Sequence, residues 1–143
     1  MKVLAVSISE RKGIKKHPVE YIELIEDYGI DGDAHAGKWH RQVSLLGVES
    51  MEAMKKKLPT LSAGDFAENI LTEGIVLYKL PIGTILKVGD CILEVTQIGK
   101  ECHLGCEIRH IVGDCVMPRE GIFTKVIKGG KIKADDKIEI VEK

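Results

Sequence analysis

The feature that most constrains this chain is its punctuation. Short apolar stretches are cut apart, again and again, by turns containing glycine or aspartate. Gly89-Asp90 is the clearest of these turns. It separates Gly83–Val88 from Cys91–Gln97, and two apolar runs joined by a two-residue Gly-Asp turn read as a β-hairpin. A strand period of two puts Cys91, Leu93 and Val95 on one face, which makes Cys91 a buried and inert thiol. Lys2 to Ser9 reads as a strand with both faces partly covered. Arg41 to Leu46, Glu68 to Thr72, Gly121 to Ile127 and Lys137 to Val141 read as further strands, with Ile138 and Ile140 inward. Val19 to Tyr28 fits a helix or a strand, and its β-branched and aromatic residues favour the strand.

One helix stands out. Val48, Met51, Met54 and Leu58 recur at three- and four-residue spacing, and Pro59 sets its end. Many short strands with one or two helices predict a mainly β fold, a partly closed β-barrel with a few helices. With 143 residues and no repeat or linker, residues 1–143 form a single domain.

Charge narrows the function. Twenty-one Lys and Arg against 22 Asp and Glu give a net charge of −1, which argues against a dedicated nucleic-acid binder. No apolar run is long enough to cross a membrane. The apolar start at Met1–Ser9 is too short for a signal peptide and is interrupted by Glu10-Arg11-Lys12, so the expected location is the cytoplasm. The basic loop Arg11–Lys16 reads as a solvated turn, or more sharply as an anion-attracting rim.

Three places can carry chemistry. The first holds Cys102, His103, Cys106, His110 and Cys115. On a helix, Cys102, Cys106 and His110 line one face, a donor set that suits zinc. A single reactive thiol requires less. Lys100 and His103 flank Cys102 and would favour its thiolate. The plain alternative for each cysteine is a small buried hydrophobe. The second place is Asp31-Gly32-Asp33-Ala34-His35-Ala36-Gly37 with Lys38, His40 and Arg41. Asp33, His35 and His40 are conceivable metal ligands. More plainly, the aspartates cap turns and the histidines lie on the surface. Lys38 and Arg41, close to glycine backbone, suit an oxyanion. The third is Gly64-Asp65-Phe66-Ala67-Glu68-Asn69, whose polar side chains either brace loops or line a pocket.

Taken in order, Gly29–Gly37, His40–Leu46, Gly64–Asn69, Thr72–Gly74, Leu80–Thr84, Leu93–Gln97, Cys102 and Arg119–Phe123 resemble the MOSC domain. This module is named from the C-terminal part of molybdenum cofactor sulfurase. The likeness covers nearly the whole chain. It implies a strand-rich barrel of the pyruvate-kinase β-barrel type, bound molybdenum cofactor (molybdopterin), and sulfur carried as a persulfide on Cys102 in cofactor sulfuration. Cys102 would alternatively bind molybdenum directly. The resemblance makes Asp33, His35, Lys38, Arg41, Glu68, Asn69, Arg109 and Arg119 cofactor-binding candidates, the basic ones facing its phosphate. Cys106 and Cys115 would be accessory thiols. Pyridoxal phosphate would reside on a separate cysteine desulfurase, which is expected as a partner, as is a client molybdoenzyme. Two other readings stay open. One is a molybdenum-cofactor-dependent reductase of N-hydroxylated compounds served by a separate electron donor. The other is a non-catalytic cofactor- or zinc-binding module.

Overall fold

The computed structural model describes residues 1–10, 16–34, 36–55, 63, 64, 66, 68–99 and 120–142. Among the described residues, eleven strands fall into two sheets. They are β1 (Lys2–Ile8), β2 (His17–Val19), β3 (Tyr21–Ile25), β4 (Gly29–Ile30), β5 (Val43–Gly47), β6 (Ile70–Glu73), β7 (Ile85–Val88), β8 (Cys91–Ile98), β9 (Ile122–Lys128), β10 (Gly130–Lys133) and β11 (Ile138–Glu142). The large sheet runs β11-β7-β8-β9-β5-β6-β1-β2, and the small one β10-β3-β4.

The predicted hairpin is present, with Val88 opposite Cys91 across the turn. Gly89 adopts φ +57° there, a conformation that costs glycine little. The region read as one strand over Val19–Tyr28 is instead divided. β2 holds Pro18 at the outer edge of the large sheet, where a missing N–H does no harm. β3 pairs with β10 in the second sheet.

One pairing departs from the antiparallel pattern. β5 and β6 run parallel, so the chain needs a crossover between them. The helix α1 (Val48–Lys55) begins that crossover directly after β5. Its Met51 is buried against Leu46, Phe66, Leu71 and Phe123, a small second core on the outer face of the sheet. The main core lies on the other face. There Val43, Leu45, Leu86, Leu93, Val95 and Ile122 pack with Ile22, Leu24 and Ile132 of the small sheet. Besides α1, the described residues contain one 3-10 turn, Leu77–Lys79.

The mainly β class holds, but the barrel does not close. The large sheet ends at β2 and β11. The reason lies at β1, where β2 pairs along Val6–Ile8 and takes that half of its free edge. Only the first residues of β1 are left to meet the far end. Lys2 bridges Lys137, Val3 N–H donates to the Asp136 carbonyl (2.9 Å), and Asp135 N–H donates to the Val3 carbonyl (2.7 Å).

Cys91 sits in the main core, fully buried as its strand position predicts. Burial pushes its thiol up to about 11 from an ordinary 9.0, with Asp90 and Asp136 adding to the rise. A thiol that titrates higher folded than unfolded contributes stability below about pH 9, and that contribution is lost as pH rises through 11. The urea midpoint of the wild type is therefore expected to fall more steeply between these pH values than that of Cys91→Ala. Parallel curves would show that the folded and unfolded thiols titrate alike.

Candidate functional site

Two polar constellations and one chain neck make up the site. The first is buried. Lys16, expected in a solvated turn, is drawn inside, and its side chain and that of Asp33 are both 0% exposed. Lys16 Nζ donates to Asp33 Oδ1 at 2.8 Å and to Ser9 Oγ at 3.1 Å. Ser9 N–H donates to the same carboxylate oxygen. Two charges removed from water cost several kcal/mol each, so their close pairing is obligatory.

Lys16 also couples this pair to the next loop, because its backbone N–H donates to the Gly64 carbonyl at 2.9 Å. Gly64 adopts φ +89°, and a Cβ there would collide with the Lys16 carbonyl. Only glycine fits. Glu68, buried, accepts Gly64 N–H at 2.6 Å and Phe66 N–H at 3.2 Å. Asn69 ties three strands together. Its Oδ1 accepts from the Ser44 N–H and hydroxyl, and its Nδ2 donates to the Ser7 carbonyl. Of the two readings left open for this segment, Glu68 and Asn69 show bracing.

The second constellation is an open cavity of about 340 Å³ on the outer face of β8 and β9. Asp27, Lys38, Trp39, His40, Glu94, Thr96 and Lys125 line it. Beside it, the Arg41 guanidinium lies 4.7 Å from the Trp39 ring centre and 5.7 Å from that of Phe123. Such stacking fixes the plane of the cation. Arg41 Nε is buried with no hydrogen-bond partner among the described residues. An oriented cation whose Nε donor is unused among the described residues is what an anionic group would satisfy.

The neck is the hydrogen-bonded end of β8 and β9 next to this cavity. A β-bulge breaks the β8–β9 register between Val95 and Gln97. The extra residue re-aims the side chains around it. Thr96 Oγ1 reaches the His40 carbonyl and, at 3.1 Å, the Phe123 carbonyl. Gln97 Nε2 donates to the Gly99 carbonyl at 2.6 Å, which leaves Gln97 Oε1 to accept from His40 Nε2 at 2.8 Å. That assignment makes His40 Nε2 the protonated nitrogen. Gly99 N–H then donates to the Gly121 carbonyl at 2.7 Å. The end of β8 and the start of β9 are thereby joined at one hydrogen-bonded point.

Of the residues named from sequence, Asp33, Lys38, Arg41, Glu68 and Asn69 are placed. Lys38 lines the cavity and Arg41 stacks on Trp39 of its wall, whereas Asp33, Glu68 and Asn69 belong to the buried bracing. His35, Cys102, Cys106, Arg109, Cys115 and Arg119 lie outside the described residues, as do His103 and His110. Among the described residues no three His, Cys, Asp or Glu side chains converge as a metal site. Sequence reasoning misread Lys16 as part of a solvated turn and gave no separate role to Gln42, Trp39 and Gln97. Gln42 is fully buried and accepts Val126 N–H at 2.9 Å while donating to Asp27. Its signal was faint, since a glutamine flanking an apolar strand has no distinctive pattern.

The described residues thus form a strand-rich domain with a stacked arginine beside an open polar cavity. The comparisons give the family. The family model of the MOSC domain matches residues 32–139, and the chain belongs to that family. No curated protein matches the sequence. Among solved structures, the YuaD protein from Bacillus subtilis is similar over 96% of this chain and 93% of its own, with a TM-score of 0.79 and 18% identity. YiiM from Geobacillus stearothermophilus is similar over 99% of this chain and 75% of its own, with a TM-score of 0.76 and 18% identity. YiiM from Escherichia coli matches 100% of this chain and 71% of its own, with a TM-score of 0.70 and 20% identity. These likenesses establish the fold. The family is associated with the molybdenum cofactor.

The buried pair yields a prediction. Lys16→Met strands the Asp33 carboxylate and is expected to cost about 3–5 kcal/mol in urea unfolding. Adding Asp33→Leu removes the stranded charge, so the double variant should regain part of that loss. A double variant as unstable as the sum of the two singles would show that the charges do not act as a pair.

Proposed function

We propose that this domain binds the molybdenum cofactor and carries sulfur on Cys102 as a persulfide in cofactor sulfuration. The observation that carries the reading is the neck. Cys102 lies three residues past Gly99 in sequence, and Gly99 is tied through Gln97 to His40 of the Lys38 cavity. A carried sulfur and an anionic acceptor would be held at one end of the sheet.

The residues present suit the cofactor's phosphate end. Arg41 has the buried, unused Nε donor, and Lys38 offers a mobile ammonium at the cavity wall. Trp39 gives the cavity a flat apolar wall. Soft sulfur ligands suit molybdenum, and what the cofactor supplies when bound is the metal atom that receives the sulfur. His40, held by Gln97 with Nε2 protonated, presents its ring at the rim and positions the neck.

Loading of the carrier is a thiol exchange. The Cys102 thiolate attacks the outer sulfur of a cysteine desulfurase persulfide. A new sulfur–sulfur bond forms on Cys102, the bond in the desulfurase breaks, and the desulfurase leaves as a thiolate. Atoms and electrons balance without any oxidant. Pyridoxal phosphate belongs to that partner, whose reaction frees the sulfur from cysteine. A client molybdoenzyme would receive the finished cofactor, and the natural setting for such exchange is the cytoplasm.

Two measurements test this. Intact-mass analysis after incubation with a cysteine desulfurase and cysteine should show one added sulfur atom on the wild type and on Cys91→Ser, and none on Cys102→Ser. A sulfur adduct retained by Cys102→Ser would remove that residue from the role. Arg41→Met should weaken binding of the molybdenum cofactor by about tenfold or more, in line with losing a charged hydrogen bond. Unchanged affinity would place the phosphate elsewhere.

A further inference from the structure

The cavity beside Arg41 is lined by charges of both signs, and a phosphate accounts for only one of them. Lys38 and Lys125 suit an anion, but Asp27 and Glu94 belong to the same lining. Asp27 is partly used, since its Oδ1 accepts from Gln42 Nε2. Glu94 stands on β8 directly opposite Lys125 of β9, within the regular stretch between the register shifts of that pair. Side chains placed so share one face of the sheet, and opposite charges there attract each other. Yet these two form no ion pair with each other, and neither side chain has a hydrogen bond or ion pair to another described residue. Both are half-buried on long, mutually paired strands.

A carboxylate and an ammonium, side by side and unpaired, set the chemistry of what they can hold. A ligand with anionic groups alone would turn one of them toward Glu94. A ligand with cationic groups alone would meet Lys38 and Lys125. Two adjacent N–H donors beside an acceptor oxygen match both residues. The donors reach the two carboxylate oxygens together, as a guanidinium does, and the oxygen accepts from the ammonium. Trp39, in the same lining, adds a flat apolar surface on which a planar ring stacks. The cavity volume of about 340 Å³ suits a small organic ligand.

We infer that Glu94 and Lys125 read the amino-oxo-pyrimidine edge of a fused bicyclic ring. That edge carries an exocyclic amine, a ring N–H and a carbonyl in a row. Pterins carry it, and so does guanine. The assignment deepens the proposed cofactor reading and rests on it. The phosphate end goes to Arg41 and Lys38, and the ring end to Glu94 and Lys125, which makes these two the specificity-determining residues of the cavity.

The test is equilibrium dialysis of the full chain against hydroxymethylpterin and guanosine monophosphate. Each is paired with the analogue that lacks the exocyclic amine, hydroxymethyl-lumazine and inosine monophosphate. In at least one pair the amine-bearing member is expected to bind about tenfold more tightly than its analogue, in line with one charged hydrogen bond. It should also quench the emission of Trp39, the only tryptophan in the chain. The pair that shows this preference names the source of the ring. Glu94→Gln should abolish the preference for the amine, and Lys125→Met should weaken both members of that pair about fivefold. Lys125→Met serves alone if the glutamine variant does not fold. No saturable binding, equal affinity within both pairs, binding that leaves Trp39 emission unchanged, or wild-type behaviour of the variant used would overturn the assignment. If cofactor affinity still falls in Arg41→Met under any of those outcomes, the ring assignment fails and the cofactor reading stands.

Discussion

The Lys16–Asp33 ion pair is the interaction on which the arrangement of loops depends. Two full charges lie inside the protein with no exposure of either side chain. Neither can remain there alone. The pair therefore fixes the position of the turn after β4 relative to the chain entering β2. Through the Lys16 backbone it also fixes Gly64, and through Gly64 the carboxylate of Glu68. Next along the chain, Asn69 reaches Ser44 and Ser7. A run of polar contacts thus crosses from β1 to β5. Mismatching any one of them leaves a buried polar group without its partner, which makes the whole arrangement cooperative.

Much of the architecture was legible because it is written in short-range chemistry. The Gly89-Asp90 turn, the alternation of Cys91, Leu93 and Val95, and the spacing of Val48 and Met51 each follow from local periodicity. The unclosed sheet was not legible, because closure depends on competition for one strand's edge. Pro18 and its neighbours win half of that edge for β2, and no local pattern announces it. The parallel pairing of β5 with β6 was hidden for the same reason. Lys16 was misread because its neighbours Arg11, Lys12 and Lys15 make the segment look uniformly solvated, whereas its partner lies far along the sequence.

The site shows the same division. Lys38 and Arg41 could be named as candidates to face an anion from residue type and glycine context. The orientation of Arg41 could not, since it comes from Trp39 and Phe123, and Phe123 arrives from the far end of the chain. Asp33, Glu68 and Asn69 had the residue types of a pocket floor, yet their hydrogen bonds go to backbone and to buried partners. Polar motif residues near a site serve as its framework as readily as its lining, and sequence spacing does not separate the two.

The neck at Gly99 and Gly121 has a consequence for how such a domain can change. Gly99 and Gly121 meet at one hydrogen bond, at the ends of neighbouring strands already paired at Ile98 and Ile122. The number of residues between them in sequence is thereby uncoupled from the registry of the sheet. Doubling a flexible closed loop costs only about 0.6 kcal/mol in closure entropy. Insertions, deletions or a different set of thiols can be accommodated there at little expense to the rest of the fold. The sheet acts as a socket of fixed gauge, and the chemistry can be exchanged as a cartridge.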